Sequence, residues 1–532
     1  MRPETAVPAR PHTMKFNTTL RSLPFPSLVL ALLSGAVTVF SFAPFGWWFV
    51  SLLSMAVVFL LALRARSIRD SALIGWAFGF GWSVAGVHWL FVSMYRFGGM
   101  PAWMAALAVT LLSLYMGLFS GMAMAAGVWF RKRWAASDAI AALLILPGLW
   151  AISEWMRGWV FTGFPWVASG YAHSNSLLAG YAPLLGVYGL GWAAALIGGC
   201  IALLPAAVAR TRAALCGLAI AILAAGYGLS QIEWTEASGK PISVRLLQGN
   251  VPQEMKFARE QIVSALVLYR DLITAEKADL IATPETAVPV FARQLPPDYL
   301  PRLAEFANKT GSRIALGIPV NDSAWEYSNS VVGIQGGAPA GPGQFAYRYD
   351  KHHLVPFGEF IPSGFRWFVN MMRIPLGDFE RGPALQAPFA VGDQQILPNI
   401  CYEDLFGEEI ADQIAAGFYS GRDEATILLN MSNIAWFGDT IALPQHLQIS
   451  QMRALETGRP MLRSTNTGAT AVIDQKGHVI ASLRHYSQGA LAATVQGYRG
   501  ATPYIRFGNA AFLVLSTALL VAARFAARRR RF

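Results

Sequence analysis

Glu285, Lys351 and Cys401 lie in three polar segments that each come just after a strand-like run, and their side-chain types together could perform acyl transfer. They lie in the segments ATPE (282–285), YDKHHLVPFGE (349–359) and NICYED (399–404). A thiolate is a strong nucleophile that needs a base or a positive neighbour to form. A carboxylate can take the thiol proton and return it to a leaving group, and a fixed ammonium can stabilise a tetrahedral oxyanion. Brought together, the three would form a covalent site with a thioester intermediate.

Each of these residues also has an ordinary structural interpretation. Cys401 is the only cysteine outside the predicted membrane spans, and an isolated cysteine is most often a buried, unreactive hydrophobic residue. Glu285 alone would be a surface charge or a cap, and Lys351 alone would be a solvated lysine. Their shared position at strand ends favours the catalytic interpretation.

We expect neither a metal ion nor a cofactor at this site. His352 and His353 are adjacent in the sequence, and neighbouring residues of a strand point to opposite faces. No carboxylate–histidine cluster has the spacing of metal ligands. The chemistry is therefore expected to depend on protein side chains alone.

Residues 231–507 have the pattern of an α/β domain that could position these side chains. Apolar runs typical of strands lie at 242–247, 279–283, 313–319, 330–334, 395–400, 425–430, 461–465 and 470–474. Helical patterns separate several of them, at 259–276, 298–310, 408–417 and 444–457. The segment DQKG (474–477) is a hairpin signal. This alternation predicts sheets covered by helices.

The rest of the chain is typical of a membrane protein. Hydrophobic residues make up 54% of the 532 residues and charged residues only 14%. About 20 mostly apolar residues are needed to cross the hydrocarbon. Eight segments meet that need, at 25–43, 46–63, 71–93, 102–130, 139–156, 185–208, 213–230 and 508–525. Three cysteines encode no disulfide framework.

The basic residues of the short loops predict the orientation of these spans. The loops after spans two, four and six hold eight Lys or Arg residues, whereas the alternate loops hold only Arg96 and Arg157. Positive loops lie in the cytoplasm, so both termini are expected there and residues 231–507 outside. Residues 231–507 carry 23 basic and 27 acidic residues, which argues against a nucleic-acid partner.

The predicted organisation has three parts. Residues 1–230 form a membrane domain of seven transmembrane helices, and residues 231–507 form a periplasmic catalytic domain. Residues 508–532 form the eighth transmembrane helix and a basic cytoplasmic tail.

Several linked motifs resemble known proteins. The order Pro-Glu, Lys, Cys-Tyr-Glu at strand ends is similar to the nitrilase/carbon–nitrogen hydrolase superfamily. More specific segments resemble the apolipoprotein N-acyltransferases: FGGMP (97–101), GFPW (163–166), QGNVPQ (248–253), KHHLVPFGEFIP (351–362), CYEDLF (401–406), AWFGD (435–439) and RALETGRPMLRSTNTG (453–468). The resemblance covers nearly the whole chain.

The resemblance implies a fold and a reaction. The fold would be a nitrilase-like αββα sandwich on an eight-span helical bundle in the bacterial inner membrane. Members of this family take an acyl chain from a phospholipid, usually phosphatidylethanolamine, and form a thioester on the cysteine, here Cys401. They then acylate the α-amino group of the N-terminal diacylglyceryl-cysteine of an apolipoprotein.

The resemblance also implies roles for individual residues. Glu285 would be the general base and acid, and Lys351 the oxyanion stabiliser. Supporting or substrate-contacting positions would be Glu359, Tyr402, Glu403, Trp436, Phe437 and, more weakly, Phe257. The chain departs from the family pattern at Thr283 and Phe257, where tryptophan is common, and at Ile434, where aspartate is common. The aromatic and basic segment 363–376 is predicted to be an interfacial arm that reaches the headgroup region.

Two other functions remain open from the sequence. A membrane-tethered amidase of the nitrilase type would use the same three residues and release an acid to water. A transporter with an outer sensing domain would show inverted repeats among its spans, and the sequence has no such symmetry.

Overall fold

The computed structural model describes residues 24–252, 259–323, 326–338, 341, 344–362, 364, 366, 378–421 and 423–529. Phe257 and, apart from residues 364 and 366, the predicted arm at 363–376 lie outside the described residues.

Apolar helices build the first part of the chain. They are α1 (Pro24–Val37), α2 (Phe49–Arg64), α3 (Ile68–Val87), α4 (Leu90–Val92), α5 (Ala102–Trp134), α6 (Asp138–Ile140), α7 (Leu146–Arg157), α8 (Ala182–Leu203) and α9 (Ala209–Ser230). Glycines allow α3 to approach its neighbours closely. A Cβ at Gly75 would lie 2.5 Å from the Ser120 carbonyl oxygen, and one at Gly81 would lie 2.1 Å from the Leu32 carbonyl oxygen.

The second part contains two six-stranded sheets. The first sheet has the strand order β12-β1-β2-β3-β4-β5 and the second has the order β11-β10-β9-β8-β7-β6. The strands are β1 (Glu236–Gln248), β2 (Leu280–Ala282), β3 (Arg313–Asn321), β4 (Tyr327–Ile334), β5 (Tyr347–Asp350), β6 (Phe389–Val391), β7 (Gln394–Ile400), β8 (Ile427–Ser432), β9 (Met461–Thr465), β10 (Ala471–Ile473), β11 (Val479–Ser482) and β12 (Gly489–Arg499). Strands β1, β2 and β3 run parallel, as do β7, β8 and β9.

Helices cover the outer face of each sheet. They are α10 (Arg259–Thr274), α11 (Tyr299–Thr310), α12 (Gly407–Ser420), α13 (Ala442–Thr457) and the short α14 (Pro503–Phe507). Alternate residues of a strand face opposite sides. In β8, Ile427 and Leu429 fill the core between the sheets, while Leu428 packs under α12 beside Ile410 and Ile414. The layers are therefore helix, sheet, sheet, helix, as the sequence predicted. Helix α15 (Ala510–Arg529) returns to the apolar bundle.

The helices fit a multi-pass membrane protein. Five described segments are long and apolar enough to cross a membrane: Ala102–Trp134, Asp138–Arg157, Ala179–Ala206, Ala209–Ser230 and Ala510–Arg529. Ile68–Val87 and Leu90–Phe97 form a sixth if the pair, bent by 59°, is one span. The shorter apolar helices Phe25–Ser41 and Phe49–Arg64 occupy the first two predicted spans. Each predicted span thus contains a helix, and the count of eight spans stays a prediction.

Candidate active site

Glu285, Lys351 and Cys401 come together where strands of the two sheets end. Glu285 follows β2 by three residues, Lys351 follows β5 directly, and Cys401 follows β7 directly. Lys351 is 1% exposed and Glu285 is 8% exposed, whereas Cys401 is a half-buried residue. The arrangement therefore buries the ammonium of Lys351 and the carboxylate of Glu285 beside the cysteine.

The Lys351 ammonium bridges two carboxylates. Its Nζ donates to Oε1 of Glu285 at 3.2 Å and to Oε1 of Glu359 at 2.7 Å. Asn329, on β4, donates from Nδ2 to the same two oxygens, at 2.8 Å and 3.2 Å. The second Glu285 oxygen accepts the Asn433 backbone N–H at 2.9 Å. A charged side chain held by several such bonds keeps one geometry at a buried position.

These charges act on the pKa of both Lys351 and Cys401. Burial alone would lower the pKa of Lys351, but the neighbouring Glu285 and Glu359 carboxylates outweigh it and raise that pKa above its ordinary value. Burial raises the pKa of the Cys401 thiol, Glu285 raises it further, and Lys351 opposes both. Both shifts have the same direction: they favour the charged ammonium of Lys351 and the neutral thiol of Cys401.

Cys401 begins a tight turn whose backbone conformation is unusual. Its φ is +53°, in the left-handed region that few residues other than glycine adopt. The turn, Cys401–Leu405, is a single 3₁₀ helix placed between β7 and α12. A residue keeps such a strained conformation only where the surrounding structure stabilises it. Such residues are concentrated at functional sites.

Glu403 joins this turn to the segment that follows Lys351. Its Oε2 accepts the Ile400 N–H at 2.6 Å and the Tyr349 hydroxyl at 3.0 Å. Its Oε1 accepts the backbone N–H groups of His352 at 2.6 Å and His353 at 3.1 Å. Burial raises the pKa of Glu403, against the opposing effect of these donors and Lys351. The carboxylate thus fixes the cysteine and lysine segments relative to each other.

The predicted aromatic positions lie at the junction with the membrane helices. The Phe437 ring packs against Trp89 with 4.4 Å between ring centroids and 60° between the planes, and Trp436 meets Phe97 edge-on at 6.0 Å. The Tyr402 hydroxyl donates to the Gly163 carbonyl at 2.9 Å. These side chains connect the surroundings of Cys401 to the apolar bundle.

Two positions that depart from the family pattern are buried. Thr283 accepts the Gly317 N–H at 2.9 Å through Oγ1. Ile434 is 1% exposed and belongs to the apolar core that also contains residues of the membrane helices.

Sequence reasoning missed several polar residues of the site. Asn329 and Asn433 both bond to Glu285, and His446 of α13 contacts the Cys401 carbonyl. Asn433 follows β8 directly, so the strand-end signal that singled out Glu285 was present there too. Nothing in the local sequence marks Asn329 or His446, whose neighbours come from distant parts of the chain.

The fold and this cluster define a carbon–nitrogen hydrolase domain carried on a bundle of membrane helices. Residues 243–504 match the family model described as carbon-nitrogen hydrolase, and residues 34–200 match the apolipoprotein N-acyltransferase N-terminal domain. A solved amidase from Nesterenkonia sp. is 17% identical, with a TM-score of 0.36 over 51% of this chain and 94% of that chain.

Curated relatives resemble the chain over nearly its whole length. An apolipoprotein N-acyltransferase from Ralstonia nicotianae is 50% identical over 94% of this chain and 93% of the relative. One from Bordetella bronchiseptica is 42% identical over 95% and 97%, and one from Nitrosomonas europaea 42% over 94% and 97%. The chain belongs to the apolipoprotein N-acyltransferase family, and it is an acyltransferase.

Proposed function

We propose that this acyltransferase takes a fatty acyl chain from a phospholipid, with phosphatidylethanolamine as the donor. It holds the chain as a thioester on Cys401 and transfers it to the α-amino group of the N-terminal diacylglyceryl-cysteine of an apolipoprotein. One observation carries the proposal: a buried ammonium, Lys351, bridges the Glu285 and Glu359 carboxylates and acts on the pKa of the Cys401 thiol.

Glu285 acts as the general base in the first step. Because the pKa of the thiol is raised, its proton leaves while sulfur attacks the ester carbonyl of the phospholipid. Lys351 stabilises the tetrahedral oxyanion that forms. Glu285 returns the proton to the alcohol oxygen, the C–O bond breaks, and a lysophospholipid leaves.

In the second step the lipoprotein amine is the attacking group and the Cys401 sulfur is the leaving group. The lipoprotein amine attacks the thioester carbonyl, Glu285 accepts a proton from nitrogen, and Lys351 again stabilises the oxyanion. The C–S bond breaks as the proton returns to sulfur. The products are an amide and the free Cys401 thiol. Glu359 orients Lys351, Glu403 holds the turn, and Tyr402, Trp436 and Phe437 border the substrate.

The proposal also assigns each part of the chain to the membrane or to the periplasmic face. Residues 1–230 and 508–532 form the eight-span membrane domain, and residues 231–507 form the catalytic domain on the periplasmic face of the inner membrane. The support is the excess of basic residues in alternate loops. Reporter fusions after residue 212 and after residue 240 should report opposite compartments. Identical compartments would overturn this topology.

A two-stage assay tests the chemistry. Purified protein given phospholipid alone should accumulate a hydroxylamine-sensitive acyl group on Cys401, detected by mass spectrometry of the peptide that contains it. Addition of a diacylglyceryl-cysteine peptide should discharge that group and give the peptide a third, amide-linked chain. Discharge to water at the same rate without the peptide would support the tethered amidase instead.

A further inference from the structure

Helix α13 places an imidazole directly behind the cysteine turn. His446 is 1% exposed, and its Nε2 lies 3.2 Å from the Cys401 carbonyl oxygen. The imidazole stacks on Trp166 with 5.5 Å between ring centroids and 17° between the planes. The second donor to the same carbonyl is Asn430 Nδ2, at 3.3 Å. The peptide bond after Cys401 is thus held by two side chains from different elements.

The neighbour of the other ring nitrogen fixes the tautomer of His446. Arg463 Nη2 lies 3.0 Å from Nδ1, and a guanidinium can only donate hydrogen bonds. Nδ1 must therefore accept, the proton sits on Nε2, and Nε2 donates to the Cys401 carbonyl. Burial lowers the pKa of His446 well below its ordinary value, and the Arg463 charge lowers it further, so the ring stays neutral.

Arg463 is itself locked by the turn that holds the nucleophile. Its Nη1 donates to Asp404 Oδ2 at 3.0 Å, and Ser450 Oγ contacts both groups. Asp404 lies three residues after Cys401 in the same 3₁₀ turn. The contacts form a closed ring that runs from the Cys401 carbonyl through His446, Arg463 and Asp404 back to the turn.

We propose that His446 is a positioning residue that holds the Cys401 peptide through an Nε2–H···O=C hydrogen bond, with its tautomer set by Arg463. The inference rests on the proposed role of Cys401 as nucleophile. The carbonyl and N–H of one trans peptide point in opposite directions, so this bond fixes both the left-handed turn and the direction of the Tyr402 N–H. A nucleophile displaced by about 1 Å can react about 100-fold more slowly.

Two substitutions separate the hydrogen bonds from the packing. His446→Phe keeps a ring against Trp166 but removes both bonds, and His446→Gln can accept from Arg463 and donate to the carbonyl. We expect His446→Phe to lower the single-turnover rate of Cys401 acylation about 10- to 100-fold, with little change in the phospholipid KM. His446→Gln should restore most of the rate. The rate of alkylation of Cys401, measured on its peptide by mass spectrometry, should follow the same order.

Gln448→Leu is the matched control on the same helix. Gln448 is buried and accepts the Ala43 N–H at 3.0 Å, so the variant loses one buried bond without touching Cys401. It should acylate at the wild-type rate. A His446→Phe variant that acylates like wild type, or a His446→Gln variant as slow as His446→Phe, would overturn the proposal.

A measurement on the unmodified protein covers the case in which His446→Phe does not fold. Histidine ¹⁵N spectra, with the His446 signals assigned from their loss in His446→Gln, should show the neutral Nε2–H tautomer from pH 5.5 to 8.5. An Nδ1–H tautomer or an imidazolium would overturn the inference. A fully active Cys401→Ser variant would instead contradict the proposed function, whatever the tautomer or charge of His446.

Discussion

Two buried ionic clusters flank Cys401, and they differ in composition. The bridge cluster is Glu285, Lys351 and Glu359, in which one ammonium is shared by two carboxylates. The support cluster is Asp404, Arg463, His446 and Ser450, in which one guanidinium faces one carboxylate at 3.0 Å. The support cluster is buried, and in the bridge cluster Glu285 and Lys351 are buried while Glu359 is half-buried.

Under the mechanism proposed above, the difference separates reactive groups from supporting ones. In the bridge cluster the second carboxylate leaves a net negative charge beside a thiol, so a base is available to take its proton. In the support cluster the charges cancel, and the cation is an arginine, which does not lose its proton in proteins. Burial of charge is therefore not itself a sign of catalysis. The two clusters are distinguished by the ratio of carboxylates to cations and by whether the cation is a lysine or an arginine.

The largest expected effect is loss of the base in the bridge cluster. Glu285→Gln should reduce turnover by about 10²–10⁴-fold, because the neutral thiol has no acceptor for its proton. Acyl–Cys401 formation, followed by mass spectrometry in a single turnover, should fall in parallel. Near-normal acylation by this variant would place the base elsewhere and remove the distinction between the clusters.

Removal of the Lys351 ammonium should reduce turnover somewhat less than the loss of Glu285 does. Lys351→Met deletes the ammonium proposed for the oxyanion, and one such donor is typically worth about 10²–10³-fold in turnover. The double variant with Glu285→Gln should be little worse than the worse single variant, since the residues act as a unit. Fully multiplicative losses, measured as turnover numbers, would mean that they act independently.

The ion pair of the support cluster should affect stability as well as the position of Cys401. Arg463→Met leaves Asp404 buried and unpaired, which typically costs about 3–5 kcal/mol in the free energy of unfolding. Thermal unfolding in detergent should show a lower midpoint. The double variant Asp404→Leu/Arg463→Met should recover part of that loss because no charge remains unpaired. A double variant less stable than Arg463→Met would contradict this account.

The smallest expected effect is on the pH dependence of the free energy of unfolding. Burial raises the pKa of Glu456 to about 7, although Arg453 opposes the shift, and Glu456 Oε1 accepts the Val187 N–H of α8 at 2.8 Å. Between the ordinary carboxyl value of 4.5 and about 7, the folded protein binds more protons than the unfolded chain. The free energy of unfolding should therefore fall as pH rises through that window, by at most about 1.4 kcal/mol per unit.

Glu456→Gln supplies the control for this pH effect, because the amide stays neutral. Its unfolding midpoint, measured from pH 5 to pH 7.5, should vary less than that of the wild type. Equal slopes would show that another group is responsible.

The sequence predicted the layers of the fold better than their edges. Each of the eight apolar runs proposed as strands overlaps one, and the helical patterns at 259–276, 298–310, 408–417 and 444–457 coincide with α10 to α13. Strands β6 and β12 were not predicted, and β5 and β11 were indicated only by the strand-like run before Lys351 and by the hairpin signal at 474–477. All four lie at the edges of their sheets, where one neighbour is solvent or loop, and the apolar alternation that reveals a strand is weaker there.

What the sequence by itself determined was the membrane character of the chain, the layered domain and the residue types at strand ends. Apolar runs and their periods report burial locally. Only the tertiary structure decided that Lys351 and Asn329 both donate to Glu285 and Glu359. It alone also placed His446 behind Cys401. His446 and Arg463 are 17 residues apart and 45 or more from Cys401. No local pattern records which side chains the packing of a helix on a sheet will join, because that packing depends on every layer at once.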